Sequence, residues 1–388
     1  MRFPRRGAAL LTSFAVLTLP LTGCHHDNTG GSGVPVVAKL NADDQVATVN
    51  QQAVTQSEFF AQLQNYAPNP QSPTAAMPAG RAVLQQMIQG LCYIGLAQQE
   101  GVAPTDAEVD AQYDNLKLVQ DSANIKTFEE RLAENGLTMQ DVKEIQIRPQ
   151  LAQIKLLTKG NPAPTAAQIQ AYYDQHKADQ FTKPDRAHVR GIALASQSDA
   201  TSIYQQIQGG KKFDDFVDRS LNKSLPKGEF LQWVPLDASK NPALEPLIDG
   251  IKTTAIGKTT APFQFQNAWW LIQVEDKKSQ ETVPFDQIKG LIPFALMEQA
   301  ALPQQADSKA VREQKEQKFK DVQQQEQGYQ KKLANSNGIK IDLPGTQYVT
   351  MLDDMKNPPV APPMGLTPTP PPGPAPTAPA RPAAPAKH

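Results

Sequence analysis

The sequence predicts an α+β protein: a helical domain, then a smaller domain of mixed helices and strands, then a disordered proline-rich tail. Three observations predict it. Apolar residues recur at helical spacing through the first half, as in Val83, Leu84, Met87, Ile88, Leu91 and Ile94. Beyond Pro184, runs with strand alternation are interleaved with short helical ones, the order of a small sheet covered by helices. From Asn357 to His388 the chain is nearly all Pro, Ala and Thr, which cannot bury a core.

At the N-terminus, Arg2, Arg5 and Arg6 flank an apolar run, Gly7–Leu19, too short to cross a bilayer as a permanent helix. Leu21-Thr22-Gly23-Cys24 follows, with small residues ahead of a cysteine. A basic start, a short apolar stretch and a small-residue cut site read as a secretory signal over residues 1–23. With Cys24 first after the cut, the pattern resembles the bacterial lipobox, which implies lipidation of Cys24 and a membrane anchor. The expected location is the periplasmic face of a bacterial membrane. His25 rather than Asp follows Cys24, which favours the outer membrane under enterobacterial sorting rules.

Composition excludes several classes. The 388 residues carry a net charge of −1, so nothing provides an electrostatic hold on nucleic acid. Of two cysteines, Cys24 is consumed by lipid, leaving Cys92 without an intrachain disulfide partner. Cys92 reads as a small buried hydrophobe in the apolar stretch Met87–Ala97. The five histidines, at 25, 26, 176, 188 and 388, do not form a metal-spaced cluster, and no metal or cofactor is expected. No Gly-rich phosphate loop or Ser/His/Asp arrangement stands out.

The elements follow in order. Residues 24–44 form a Gly/Ser/Asn-rich tether. Gln45–Asn50 alternates as a strand, Gln51-Gln52 turns, Ala53-Val54 closes the turn, and Thr55 caps a helix with Glu58 three positions on. Further helices start at Pro104-Thr105-Asp106, cover Phe128–Leu132 and run from Thr138 to Leu157, completing a helical domain over 45–160. Gly160-Asn-Pro-Ala-Pro164 marks a boundary, and 161–183 holds a connecting helix with Ile169, Tyr172 and Tyr173. The small domain spans 184–280, with a strand at His188–Ala195, helices at Ser198–Gly209 and Lys212–Arg219, and a brief strand or turn at Phe230–Val234. A helix at Pro242–Gly250 and paired strands at Phe263–Gln266 and Trp269–Glu275 complete it. Residues 281–343 give helices at Pro284–Met297 and Asp307–Ala334 and a strand at Ile339–Asp342. The tail is placed at 344–388. It serves as a stiff spacer, as a ligand for a proline-binding partner, or as a cell-wall contact.

VATVNQQAVTQSEFFAQL at Val46–Leu63 resembles the opening of the SurA N-terminal domain, and LQQMIQGLCYIGLAQQEGVAPTDAEVDAQYD continues it. Pro184–Val274 resembles a parvulin-type prolyl isomerase domain through GKKFDDFVDRSLN, KGEFLQWVPL and WWLIQVEDK. KKLANSNGIKID resembles the C-terminal helix and strand that return to the chaperone domain. Taken together, the order resembles the SurA/PrsA group of periplasmic folding factors. The resemblance implies a helical chaperone domain for unfolded exported chains and a groove that lowers the barrier to X-Pro rotation. That barrier is about 18–20 kcal/mol for a peptide bond and makes uncatalysed X-Pro exchange slow.

Active parvulins use two histidines and a Cys or Asp. Those positions fall here at Gly191, Asn222 and Trp270. His188, a possible substitute, lies three residues before Gly191, and strand alternation puts it on the opposite face unless a bulge intervenes. The family turn Gly-Gly-Asp-Leu-Gly-Trp reads Gly228-Glu-Phe-Leu-Gln-Trp233. The expected peptide groove comprises Phe213, Phe216, Phe230, Trp233, Leu244, Trp269 and Trp270, one of the two adjacent tryptophans being core and the other exposed or in the groove. Three functions follow from the resemblance: a lipid-anchored chaperone with weak or lost isomerase activity, an active prolyl isomerase, or a dedicated assembly factor for an envelope or exopolysaccharide export system.

Overall fold

The computed structural model describes residues 44–67, 77–239 and 242–357. The signal, Cys24, most of the tether and the Pro/Ala/Thr-rich segment from 358 lie outside the described residues.

The helical domain begins with a hairpin, β1 (Gln45–Val49) and β2 (Gln52–Thr55), followed by α1 (Gln56–Gln64). Thr55 starts α1 through a capping box: its hydroxyl accepts from Glu58 N, and the Glu58 carboxylate accepts from Thr55 N at 2.7 Å. The same device starts α3 (Asp106–Ala123) at Thr105, α4 (Phe128–Glu134) at Thr127 and α7 (Ala166–His176) at Thr165. Each box satisfies two otherwise orphaned helix-start N–H groups, and such caps contribute about 1 kcal/mol. Between α1 and α3 lies α2 (Ala79–Gln99), whose Val83, Leu84, Ile88 and Cys92 are fully buried against β1, Phe59 and the C-terminal elements.

The long helix expected over Thr138–Leu157 is interrupted. After α5 (Met139–Asp141) comes a π-helical turn, Val142–Ile147, before α6 (Arg148–Leu157). Pro149 has no N–H to give, so α-helical bonding cannot continue through it; the wider turn lets Arg148 N donate to Lys143 O instead. Likewise the run expected over Pro284–Met297 splits into α10 (Phe285–Ile288) and α11 (Ile292–Ala301), with Pro293 in the first turn of the second helix.

β3 (Thr182–Lys183) and β8 (Glu281–Thr282) pair antiparallel where the chain enters and leaves the small domain. That domain contains β4 (Arg186–Leu194), α8 (Gln197–Gln208), a 3₁₀ segment Phe213–Arg219 and β5 (Val234–Pro235). A 3₁₀ turn at Pro242–Leu244 leads into α9 (Glu245–Thr253), and β6 (Phe263–Phe265) and β7 (Ala268–Lys278) follow. Its sheet has the order β5-β4-β7-β6, all antiparallel.

α12 (Lys309–Asn335) then crosses the helical domain, and β9 (Ile339–Ile341) pairs with β1, with Thr48 opposite Lys340. The chain does not become a tail at 344. Residues Thr346–Lys356 form α13, burying Tyr348, Met351 and Met355 beside Leu84 and Phe59. Tyr348, Met351, Leu352 and Met355 carry the i, i+3, i+4, i+7 spacing of a packed helix face, a signal masked by the preceding Pro344-Gly345.

Candidate functional site: the two faces of the small sheet

Strand alternation sends neighbouring side chains of β4 to opposite sides, and the two faces are packed differently. Ala187, Val189 and Ala193 of β4 join Trp270, Ile272 and Val274 of β7 beneath Leu247 and Ile251 of α9, with Phe230 closing the edge. On the other face, Ile192, Leu194 and Leu271 pack with Ile203 of α8 and with Phe213 and Phe216 of the 3₁₀ segment.

Gly191 faces the α9 side, and its lack of a side chain is filled by its neighbours. A Cβ built there would lie 2.9 Å from Phe230 Cε2, 3.0 Å from Ile272 Cδ1 and 3.0 Å from Trp270 Cζ3. Trp270 is only 7% exposed, and its indole N–H is satisfied within its own hairpin, donating to Phe265 O at 3.0 Å. Phe230 is held by its N–H, which donates to Val189 O at 3.1 Å. The volume that an imidazole from this strand position would need is therefore occupied by two aromatic rings and an isoleucine.

Asn222 is engaged locally. Its Oδ1 accepts from Ser224 N at 3.1 Å and Ser224 Oγ at 2.5 Å, an Asx-type turn in the loop after the 3₁₀ segment. Ser220 and Thr260, buried hydroxyls that the sequence reading passed over, secure the sheet. Ala193 N donates to Ser220 Oγ at 3.1 Å, and Ile272 N donates to Thr260 Oγ1 at 3.0 Å. Both serve backbone groups that would otherwise be unpaired at a buried edge.

His188 lies on the α8 side. The bulge that the pairing does contain falls beside His188, where β7 takes an extra residue, Glu275, and so leaves the alternation of β4 intact. His188 Nε2 is 3.3 Å from Glu229 Oε1, outside hydrogen-bond geometry. It borders an open hollow of about 570 Å³ with Arg190, Asp214, Asp218, Lys227, Glu229 and Glu275. Arg190 donates to Asp214 and to Lys227 O at 2.8 Å, and that charged hydrogen bond holds the Asp214 carboxyl below its ordinary range.

The seven residues expected to line one groove are thus divided. Phe230 and Trp270 share the α9 face. Phe213 and Phe216 belong to the α8-side cluster, with half-buried Trp269 packed against it. Neither adjacent tryptophan is free: one is core, and the other leans on the opposite layer. Trp233 lies over the same side as His188, with Lys278 Nζ 4.3 Å and Arg186 Cζ 5.7 Å from its ring centroid. Leu244 is half-buried at the start of α9, whose Leu247 and Ile251 instead reach the sheet. The reason for the division was legible in part: a glycine inside a strand marks close approach of other groups, which Gly191 does.

The turn at 228–233 also meets the helical domain. Asn124 and Gln232 pair as an antiparallel bridge, Ile125 N donates to Leu231 O at 3.1 Å and Trp233 N to Ala123 O at 3.0 Å. The end of α3 therefore holds one rim of the small domain.

Comparison with known proteins matches two separate parts of the chain. Residues 1–157 match the family described as SurA-like N-terminal domain, and 164–290 match the family described as PPIC-type PPIASE domain. A putative peptidyl-prolyl cis-trans isomerase, YacD of Bacillus subtilis, is 22% identical over 70% of this chain and 83% of its own length. A probable parvulin-type isomerase of Bordetella pertussis is 26% identical over 47% of this chain and 72% of its own. Among solved structures, a SurA-like chaperone of Campylobacter jejuni is 22% identical, covering 78% of this chain and all of that one at a TM-score of 0.30.

Proposed function

We propose, from the match of residues 1–157 to a SurA-like N-terminal domain and of 164–290 to a PPIC-type PPIase domain, that this chain is a membrane-anchored chaperone of the bacterial envelope whose prolyl isomerase activity is weak or lost. Relatives named as foldase PrsA and chaperone SurA support the chaperone part of this reading. Its clients are unfolded or partly folded exported polypeptides. Binding comes from apolar burial in shallow surfaces, so it is weak and broad.

One observation carries the catalytic part. The place of the first family histidine is filled by Phe230, Ile272 and Trp270 packed over Gly191. Isomerisation by this fold needs an apolar cup for the proline ring and polar groups that tolerate loss of amide resonance. Here Gly191 and Trp270 offer no titratable group on the α9 side, and the Asn222 carbonyl oxygen is committed to Ser224. His188 serves the other face. Anchoring rests on Cys24; among the described residues, no helix is long and apolar enough to cross a membrane.

A protease-coupled cis/trans assay on the chain from His25 onward tests the catalytic claim. The expected rate is at or barely above the uncatalysed one, and a rate comparable to that of an active parvulin would overturn it. Failure to suppress aggregation of an unfolded outer-membrane protein would count against a general chaperone. Retention of a Cys24→Ser variant in the membrane fraction would remove the anchor.

A further inference from the structure

α12 is a 27-residue helix that is mostly polar, and its contact with α2 contains an anomaly. Glu326 is 1% exposed, as deeply buried as the hydrophobic core. Its Oε2 receives a single long contact from Gln89 Nε2 at 3.4 Å, and its Oε1 has no hydrogen-bond partner. Nearby on the same helix, Tyr329 lies over Gly95 of α2, where any Cβ would displace it. Among the described residues, the titratable groups that interact with Glu326 are Cys92 and Tyr93 of α2, neither a cation. No charged group among the described residues of α6, α11, α13 or β9, which also pack on α12, acts on it. A buried carboxylate without a counter-charge is strongly disfavoured, whereas the neutral acid is tolerated.

We propose that Glu326 makes α12 a detachable strap: with its carboxyl protonated the helix stays docked on α2, and loss of that proton drives it off. Undocking uncovers the apolar surface of Tyr93, Ile94 and Ala97, which Val322 helps to cover. The inference concerns the helical domain and holds whether or not the small domain turns over prolyl bonds.

The sign follows from burial, which pushes the Glu326 carboxyl up to about 7 from 4.5. The docked state binds the proton more tightly than the released one. Docking is therefore strongest below about pH 4.5 and weakens progressively as pH rises through about 7, where the loss levels off.

Hydrogen exchange of the full chain, read on amides of residues 318–333 and corrected for intrinsic pH dependence, tests this. For the two ionisation points 4.5 and about 7, opening of α12 should be about tenfold greater at pH 8 than at pH 6. Glu326→Gln and Glu326→Leu should each abolish that response. Glu298→Gln, on α11, should leave it intact, although burial also raises the Glu298 carboxyl to about 7. An unchanged wild-type protection between pH 6 and pH 8, a response surviving in either Glu326 variant, or its loss in Glu298→Gln would each overturn the proposal.

Discussion

Gly191→Ala is the sharpest probe of how the small domain is filled. Gly191 lies within β4 and does not have a positive φ, so alanine meets no backbone penalty. By restricting the unfolded chain, the substitution alone would stabilise by about 0.4–1 kcal/mol. Against this stands a collision with three carbons at 2.9–3.0 Å, where carbon contacts optimally lie at about 3.5–4.0 Å. Two of those atoms belong to aromatic rings fixed by the sheet, so relief requires moving Phe230 or Trp270 rather than a loose chain end. Overpacking of this kind costs about 1–3 kcal/mol, leaving a net loss of about 1–2 kcal/mol.

All three tryptophans of the chain, Trp233, Trp269 and Trp270, lie in this domain, so their fluorescence in urea reports its unfolding alone. With a slope of about 1–1.5 kcal/mol per molar urea, the midpoint should fall by about 1 M. Phe230→Leu added to Gly191→Ala should recover part of the loss, because it removes the nearest ring edge. A midpoint that stays or rises would refute the filled-site argument, as would a Phe230→Leu effect identical in both backgrounds.

Two further outcomes follow. Gly228→Ala should cost more than Gly191→Ala in the same fluorescence titration: its φ is 75° and its Cβ would lie 2.8 Å from Gly191 O, so backbone strain of about 1–3 kcal/mol adds to the clash. Asn124→Cys combined with Gln232→Cys should close a disulfide between the two domains on mild oxidation. The bridge geometry sets the Cα atoms about 4.5 Å apart, inside the range for an S–S bond, and non-reducing electrophoresis after proteolysis between the two sites would reveal it.

Much of this molecule is written locally. Thr55, Thr105, Thr127 and Thr165 each announce a helix start, because the capping partner lies three residues away and depends on nothing else. The strand pattern of β4 and β7 and the order of helix and strand were likewise legible, since alternation and helical periodicity are properties of short segments. Pro149 and Pro293 interrupted helices whose periodicity ran straight through them, and α13 was hidden behind Pro344-Gly345.

Other features required the fold. That Phe230 and Trp270 converge over Gly191, while Phe213, Phe216 and Trp269 pack away from them, depends on register between β4, β7 and the turn at 228–233. The bridge from α3 to that turn joins residues over a hundred positions apart, and Glu326 becomes a buried acid only because α12 returns across α2. The sequence by itself determined the kinds of segment and the residue types available, because capping and periodicity act over a few bonds. Tertiary structure decided which side chains share a space, because burial and contact are properties of surfaces brought together from distant parts of the chain.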